Sequence, residues 1–272
     1  MSDPVRPPLS LAALTVLDVS PFEMIRIARA CGYSHVGLRP VAATAEEPHT
    51  PILTHSANRR ELHAVLAGEG MAVLDCEIVR LVPEIDWDTM AQVIDFAAEF
   101  GAGRLLVADN DPDPVRCAAS LARLADIGAV QGVVPCLEFM PWTCAPNLAA
   151  ARARVAGIPN AALLIDAFHL ARSGGSPADI HSKDRVSYLQ LCDIAGPIPA
   201  MDEILREARS DRLLPGEGDI DLAGLLTRCP ALPISLEVPN DRLRDAGVSA
   251  EDRARRALQA ALEVLSADQA DA

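Results

Sequence analysis

The sequence has few aromatic residues and no long hydrophobic segment. Aromatics make up 3% of its 272 residues, whereas 50% are hydrophobic, so a large core has to be built from aliphatic side chains and alanine. No stretch approaches the roughly 20 apolar residues of a membrane-spanning helix. The N-terminal Met-Ser-Asp-Pro-Val-Arg-Pro-Pro lacks the apolar region of a secretion signal. We therefore expect a soluble, cytoplasmic protein without a membrane partner.

Positive charge and paired cysteines are also scarce. The chain has 24 basic against 38 acidic residues and a formal net charge of −14, which disfavours nucleic acid as a partner. Its cysteines are odd in number, widely spread and without a C-x-x-C pair, which argues against a disulfide framework or a zinc knuckle and fits a reducing cytoplasm. They are Cys31, Cys76, Cys117, Cys136, Cys144, Cys192 and Cys229.

Several cofactor and nucleophile motifs are missing. Gly101-Ala-Gly103 precedes an apolar run instead of following one and lacks the third glycine of the dinucleotide fingerprint. Neither a Gly-x-Ser-x-Gly elbow nor a phosphate-binding P-loop is found. A nicotinamide enzyme and a serine hydrolase of that type are therefore disfavoured.

What the chain does contain is a regular alternation of short apolar runs and amphipathic helical stretches. This pattern predicts βα units, and eight of them in 272 residues favour a closed (β/α)8 TIM barrel over a doubly wound sheet. We expect one domain over 1–272, with 1–8 as an N-terminal extension and 267–272 as a tail, and association into a homo-oligomer is compatible with it. The predicted strands are Leu11–Leu17, His35–Leu38, Ala72–Ile78, Arg104–Ala108, Val133–Phe139, Ala162–Ile165, Val186–Leu191 and Ile234–Val238.

Some helix ends are also readable. Trp87 to Phe100 has apolar residues at helical spacing and stops at Gly101. Ser176 before Pro177 is typical of an N-cap followed by a first-turn proline. Ser249, with an aspartate three residues later, resembles a capping box and opens a final helix that we expect to end near Leu265.

Oxygen-bearing side chains end four consecutive runs. Glu138, Asp166 and Glu237 close the fifth, sixth and eighth runs, and Gln190 and Asp193 lie in or just after the seventh. In a parallel barrel these strand ends meet at one mouth, where three bare carboxylates would repel one another and a divalent cation would remove that cost. A lone carboxylate there would instead be an N-cap or a salt-bridge partner. All-oxygen ligation favours Mn²⁺ or Mg²⁺ over zinc.

The same segments carry a family resemblance. The chain resembles the xylose-isomerase-like barrel family, which includes sugar and sugar-phosphate isomerases and epimerases, in order from about Leu11 to Leu265. The motifs that carry the resemblance are Leu137-Glu138, Ile165-Asp-Ala-Phe-His-Leu170, Leu189-Gln-Leu-Cys-Asp193, Arg212-Leu-Leu-Pro-Gly-Glu-Gly-Asp219 and Leu236-Glu237.

The resemblance implies roles for these residues. A divalent metal would be bound by Glu138, Asp166, the seventh-strand Gln190 and Glu237, and the two glutamates would move protons on opposite faces of a substrate. His169 would touch a substrate oxygen, which makes it the third candidate catalytic residue after the two glutamates. Arg212 would bind a substrate hydroxyl or carboxylate.

For the remaining polar and aromatic residues near these motifs, a substrate role and a structural role are both open. Trp142 is a candidate apolar wall for a substrate ring, with a packing role as the alternative. Three residues that close earlier strands either reach the substrate or form salt bridges: Arg39, Glu77 and Asp109.

Two departures from the family pattern bear on function. The seventh-strand ligand is usually histidine, and Gln190 stands there instead, as in the 3-dehydroshikimate dehydratase branch of the superfamily. Leu38-Arg39-Pro40 replaces a frequent glutamate after the second strand. We expect a metal-dependent isomerase or epimerase that acts on a carbohydrate or polyhydroxy-keto compound through an enediolate. The alternatives are a dehydratase of the 3-dehydroshikimate type and a non-catalytic carbohydrate-binding barrel. A nuclease would need clustered histidines and a basic face, which this chain lacks.

Overall fold

Eight parallel strands form a closed barrel in the computed structural model, which describes residues 6–44, 47 and 49–271. Each strand pairs with its sequence neighbours, and β8 closes the ring against β1. This confirms the predicted (β/α)8 architecture. The strands are β1 Leu9–Leu11, β2 His35–Leu38, β3 Ala72–Leu81, β4 Arg104–Asp109, β5 Val134–Glu138, β6 Ala162–Asp166, β7 Val186–Leu191 and β8 Ile234–Leu236.

Helices separate consecutive strands and surround the barrel. They are α1 Pro21–Cys31, α2 Ser56–Glu69, α3 Trp87–Glu99, α4 Pro114–Gln131, α5 Leu148–Val155, α6 Ala167–Arg172, α7 Met201–Ser210, α8 Leu222–Arg228, α9 Asp241–Asp245 and α10 Ala250–Asp271, with 3-10 helices at Ala13–Val16 and Pro177–Asp179. Within the described residues, no helix combines the length and the apolarity needed to cross a bilayer.

The first predicted strand is wrong in its bounds. The strand is Leu9–Leu11, and most of the Leu11–Leu17 run is a 3-10 helix whose backbone begins with the Ala13 N–H donating to Oε1 of Glu77 over 3.2 Å. Both elements are buried, so their apolar residues merge into one run in the sequence. Periodicity alone does not separate a short buried strand from a buried turn of helix.

The helix-end signals are mostly confirmed. Helix α3 spans Trp87–Glu99, and Gly101 follows it at φ 70°. Ser176 and Pro177 open only a three-residue 3-10 helix. The backbone N–H of Asp252 donates to Oγ of Ser249 over 3.1 Å at the start of α10. That helix continues to Asp271, past the predicted end near Leu265, so most of the expected tail is helical.

The barrel separates two apolar clusters. Outward-facing strand residues pack against the helices, whereas a smaller cluster fills part of the barrel interior. The interior cluster comprises Leu74, Ile78, Leu106, Ala108, Cys136, Met140, Ala162, Leu164 and Tyr188. Because strand residues alternate between the two sides, the polar residues that share the inward face meet above this filled interior, at the carboxyl ends of the strands.

Candidate active site

The four predicted oxygen donors lie together at the mouth of the barrel. Asp166 and Gln190 are register partners at the ends of β6 and β7, Glu138 ends β5, and Glu237 directly follows β8. All four are buried, with at most 5% exposure. The amide Nε2 of Gln190 donates to Oε1 of Glu237 over 3.2 Å. The residues that the strand-end pattern singled out thus form one cluster in the structure.

Arg212 is inserted among these carboxylates. Its Nη1 lies 2.8 Å from Oδ2 of Asp166, and its Nη2 lies 3.0 Å from Oε2 of Glu237. The side chain is only 2% exposed. The sequence predicts that Arg212 binds substrate; the structure places it next to the cavity with its guanidinium engaged by two carboxylates, and substrate contact stays a prediction.

Burial and mutual repulsion shift the pKa values of the carboxylates. Burial, together with the neighbouring Asp166 and Glu237, raises the pKa of Glu138 well above its usual range. Burial also raises the pKa of Glu237 to about 7, although Arg212 opposes the rise. Burial alone would raise the pKa of Asp166, but Arg212 and His169 outweigh it and lower the value. A second positive charge at this cluster would therefore be stabilising.

Asp166 also serves as the N-cap of α6. Its Oδ1 accepts the backbone N–H of Phe168 at 2.6 Å and that of His169 at 3.4 Å. This contact fixes the start of the short helix that carries His169. Both interpretations of a strand-end aspartate therefore apply here, because one oxygen caps the helix while the other faces Arg212.

His169 lies next to the acidic cluster, the name used here for Glu138, Asp166, Gln190 and Glu237. Its Nε2 lies 3.7 Å from both Oε1 of Glu138 and Oδ2 of Asp166, and burial lowers its pKa to about 4, so the ring is neutral at pH 7. The edge of Trp142 packs on the ring, with centroids 5.1 Å apart at 75°. A neutral imidazole can accept a proton at one nitrogen and donate one at the other.

The free oxygen atoms at this site are suited to a divalent cation. Oε1 of Glu138 and Oε1 of Gln190 are buried and have no hydrogen-bond partner among the described residues. Glu138, Asp166 and His169 carry potential ligand atoms within 4.8 Å of one another. Buried oxygens without partners are costly, and a cation would satisfy them. The donor set therefore fits a divalent metal.

A cavity of about 310 Å³ opens above the cluster. Five of the predicted residues line it: Glu138, Glu237, His169, Arg212 and Trp142. Ile78, Leu106 and Met140 supply apolar surface, so the cavity combines an acidic floor with an apolar side. Asp166 and Gln190 do not line the cavity, but each contacts a residue that does. Asp166 accepts a hydrogen bond from Arg212, and Gln190 donates one to Glu237.

Two cavity residues were missed by the sequence reasoning. Arg80 and Arg209 line the same cavity, and no carboxylate of the described residues lies within 4 Å of either guanidinium. Arg80 was missed because the predicted third strand ends at Ile78. In the structure β3 continues to Leu81, so Arg80 lies near the mouth of the barrel. The alternation Val79-Arg80-Leu81 is the signal that could have revealed it. Arg209 ends α7, and no strand pattern indicates its position.

The earlier strand-end residues divide between the cavity and structural roles. Arg39 lines the cavity and bonds Glu47 at 2.8 Å and Glu77 at 2.9 Å. Asp109 is engaged by Arg154 at 2.9 Å, and it does not line this cavity.

The side chain of Asp193 binds backbone N–H groups of a nearby loop. Its side chain accepts N–H groups from Gly216 at 2.9 Å and from Ile220 at 3.1 Å. It thereby fixes the loop that follows Arg212 in the chain.

Part of the chain is similar in sequence to a curated protein. The chain is 33% identical over 166 residues to a 3-dehydroshikimate dehydratase of Pseudomonas aeruginosa; the match covers 56% of this chain and 26% of that relative. The chain thus spans about a quarter of the length of the curated relative.

Solved structures share the fold. A xylose isomerase-like TIM barrel/4-hydroxyphenylpyruvate dioxygenase fusion protein superposes with a TM-score of 0.79 at 22% identity, over 96% of this chain and 43% of that one. The IOLI protein with a binding zinc atom gives a TM-score of 0.78 at 19% identity, over 95% and 98% of the two chains. At these identities the likeness shows the fold alone.

The family model described as xylose isomerase-like TIM barrel matches residues 25–265. The match spans every strand from β2 to β8 and every residue of the acidic cluster. The chain belongs to the xylose isomerase-like TIM barrel family.

Proposed function

We propose that the chain removes water from a polyhydroxylated cyclic keto acid of the 3-dehydroshikimate type. The observation that carries the proposal is the pairing, in one cavity, of the acidic cluster with Arg80 and Arg209, two guanidinium groups without a carboxylate partner among the described residues. The name of the matched Pseudomonas aeruginosa relative, 3-dehydroshikimate dehydratase, supports the same chemistry. So does Gln190 at the seventh-strand position.

The arginine pair favours a substrate that carries a carboxylate. Among the described residues, Arg80 has one polar contact, from Nη1 to Oδ1 of Asn110 at 3.1 Å, and burial lowers its pKa. A bound carboxylate would offset that cost through charge-assisted hydrogen bonds. A neutral ketohexose would leave Arg80 without a charged partner, and it would make no use of the charge of the exposed Arg209. The apolar side of the cavity, with Trp142, would face the ring of the substrate.

A divalent metal, Mn²⁺ or Mg²⁺, fits the same proposal. Glu138, Asp166, Gln190 and Glu237 would hold it, because two of their oxygens have no hydrogen-bond partner within the described residues and the set contains only oxygen donors. When bound, such a cation polarises a carbonyl and stabilises the negative charge that develops on its oxygen.

Glu138 is our candidate for the base. No hydrogen bond to Glu138 is found among the described residues, so one of its oxygens can hold the metal while the other takes a proton. By contrast, Oε1 of Glu237 accepts a hydrogen bond from Gln190, and its Oε2 is ion-paired with Arg212. Burial raises the pKa of Glu138, which makes its carboxylate a stronger proton acceptor. Glu237 would hold the opposite side of the site, and its part as the second acid–base group stays a prediction.

The atoms and electrons of the elimination balance without any further reactant. Glu138 takes the proton from the carbon beside the carbonyl, and the released electron pair forms a carbon–carbon double bond as the neighbouring C–O bond breaks. The proton returns to the leaving hydroxide, and His169, 3.7 Å from Oε1 of Glu138, is placed to pass it. The products are water and an enol that becomes an aromatic dihydroxybenzoate by a proton shift.

Isomerisation or epimerisation is the second candidate. It shares the first proton removal and differs only in where the proton returns. Glu138 and Glu237 line one cavity from the ends of two non-adjacent strands. This arrangement favours it, since two carboxylates can serve two faces of a substrate.

The proposal is tested with purified protein, Mn²⁺ and 3-dehydroshikimate, following the absorbance of the aromatic product. Replacing Arg80 or Arg209 by glutamine should raise KM roughly tenfold or more with a smaller effect on kcat, because each change removes a charged hydrogen bond to the carboxylate. The matched control is Arg206→Gln on the same helix, whose side chain pairs with Glu203 and Asp211. Absence of turnover by the unaltered protein would refute the dehydratase proposal.

A further inference from the structure

Arg212 lies where a counter-ion for the acidic cluster would lie. Its two terminal nitrogens contact Oδ2 of Asp166 at 2.8 Å and Oε2 of Glu237 at 3.0 Å. These carboxylates belong to two of the four residues that we propose as metal ligands. The guanidinium and a bound cation would therefore share the same two ligands.

Contacts outside the carboxylates hold the guanidinium in place. Its Nε donates to the carbonyl of Ala208 over 3.0 Å, and Nη1 donates to the backbone carbonyl of Glu237 over 3.3 Å. Its Cζ lies 4.8 Å from the ring centroid of Phe168. These groups remain when a cation arrives, so Arg212 is a fixed charge instead of one that the metal displaces.

The formal charges of the cluster balance around a divalent ion. Three carboxylates and one guanidinium leave a charge of −2, and Gln190 adds none. A divalent cation would bring the cluster to neutrality. Without Arg212, the same ion would leave one negative charge over and would bind more tightly, because a nearby positive charge repels a cation.

We propose that Arg212 is a permanent cationic part of the metal centre, which sets the charge of the cluster to match a divalent ion and weakens its binding. The inference rests on the proposed function, since it requires the metal centre. It differs from the role that the family resemblance implies, because Arg212 acts on the ligands and not on the substrate. A fixed cation also keeps Asp166 and Glu237 paired before the metal binds.

The test is a calorimetric titration of Mn²⁺ into metal-free protein at pH 8.0. We expect Arg212→Met to bind Mn²⁺ about tenfold more tightly than the unaltered protein, because the repelling charge is gone. Arg212→Lys keeps the charge and should stay within a few-fold of the unaltered protein. The control is Arg172→Met, which removes another buried arginine, one paired with Glu207 at 2.7 Å; it should leave the dissociation constant unchanged.

The outcomes are separable. An unchanged or weaker affinity in Arg212→Met, with Mn²⁺ binding intact in the unaltered protein, overturns the role of Arg212 and leaves the proposed function standing. Absence of Mn²⁺ binding by the unaltered protein overturns the metal centre and the inference together. If Arg212→Met folds only with metal, the same constant is measured from the loaded protein by competition with a chelator.

Discussion

The side-chain amide of Gln190 donates to Oε1 of Glu237 over 3.2 Å, while its own carbonyl oxygen is buried and finds no partner in the described part of the chain. The hydrogen bond fixes which end of the amide faces its neighbour. The free oxygen is then left for a further group at the mouth of the barrel. Glutamine at this position is consequently suited to serve as a neutral oxygen ligand.

Replacing Gln190 separates its two contacts. Gln190→Leu removes the free oxygen and should weaken Mn²⁺ binding roughly tenfold or more. Gln190→His offers a ring nitrogen instead, which should shift the preference of the site from Mn²⁺ towards Zn²⁺. Calorimetric titration with both metals checks the prediction. Equal Mn²⁺ affinity in Gln190→Leu and the unaltered protein would show that the amide is not a ligand.

The stability of the metal-free protein should depend on pH through Glu237. Burial raises its folded-state pKa from 4.5 to about 7, above the unfolded value. The folded state therefore binds the proton more tightly, so this contribution is fully present below pH 4.5 and is lost as pH rises through 7. A shift of this size corresponds to roughly 3 kcal/mol.

Urea unfolding with chelator, from pH 4.5 to 8, measures this effect. The unfolding free energy of the unaltered protein should fall relative to that of Glu237→Gln, which does not titrate. Saturating Mn²⁺ should suppress the fall, because the cation stabilises the charged carboxylate. Parallel pH profiles for the two metal-free proteins would contradict the account.

His169 should affect turnover more than metal binding. Substitution by glutamine removes a proton carrier 3.7 Å from Glu138, and we expect kcat to fall roughly 10²- to 10⁴-fold. The dissociation constant for Mn²⁺ should change little, since the proposed ligands remain. His181→Gln, on the exposed surface, is the control. A large loss of Mn²⁺ affinity in His169→Gln would instead make this ring a ligand.

Gly37 makes room for two buried carboxylates inside the barrel. A Cβ there would lie 2.4 Å from Oε1 of Glu77 and 2.9 Å from Oδ1 of Asp75. Glu77 is held by Arg39 and by the backbone of Ala13, so it has little freedom to move. Gly37→Ala should therefore destabilise the protein by about 1–3 kcal/mol.

The control for Gly37 lies on the surface. A Cβ at Gly68, in α2, meets no atom of the described residues within 4 Å, so Gly68→Ala should stabilise the helix by about 0.5–1 kcal/mol. Urea unfolding compares the two variants. A neutral or stabilising effect of Gly37→Ala would mean that the carboxylates lie elsewhere.

The acidic cluster was predictable because strand ends are visible in the sequence. Glu138 and Asp166 end β5 and β6, Gln190 lies near the end of β7, and Glu237 directly follows β8. Parallel strands bring such ends to one mouth. The barrel followed from counting these runs. The first strand was misplaced because a buried 3-10 helix extends its apolar run.

The ion pairs of the site were not predictable from the same pattern. Arg212 lies in a loop, and its contacts with Asp166 and Glu237 join residues 46 and 25 positions apart. Arg209 reaches the cavity from the end of a helix, where alternation carries no information. Charge pairing of this kind depends on how the loops fold over the mouth, and no local periodicity records it.

The most direct measurement is incubation of the metal-stripped and the Mn²⁺-restored protein with 3-dehydroshikimate in deuterated water, alongside a ketohexose and an inosose-type cyclitol. We predict an aromatic dihydroxybenzoate from 3-dehydroshikimate only when Mn²⁺ is present, and none from Glu138→Gln. Deuterium uptake into the ketohexose or the cyclitol without the aromatic product would contradict the dehydratase account in favour of an isomerase or epimerase. No exchange and no product with any of the three compounds would contradict an enolising enzyme altogether.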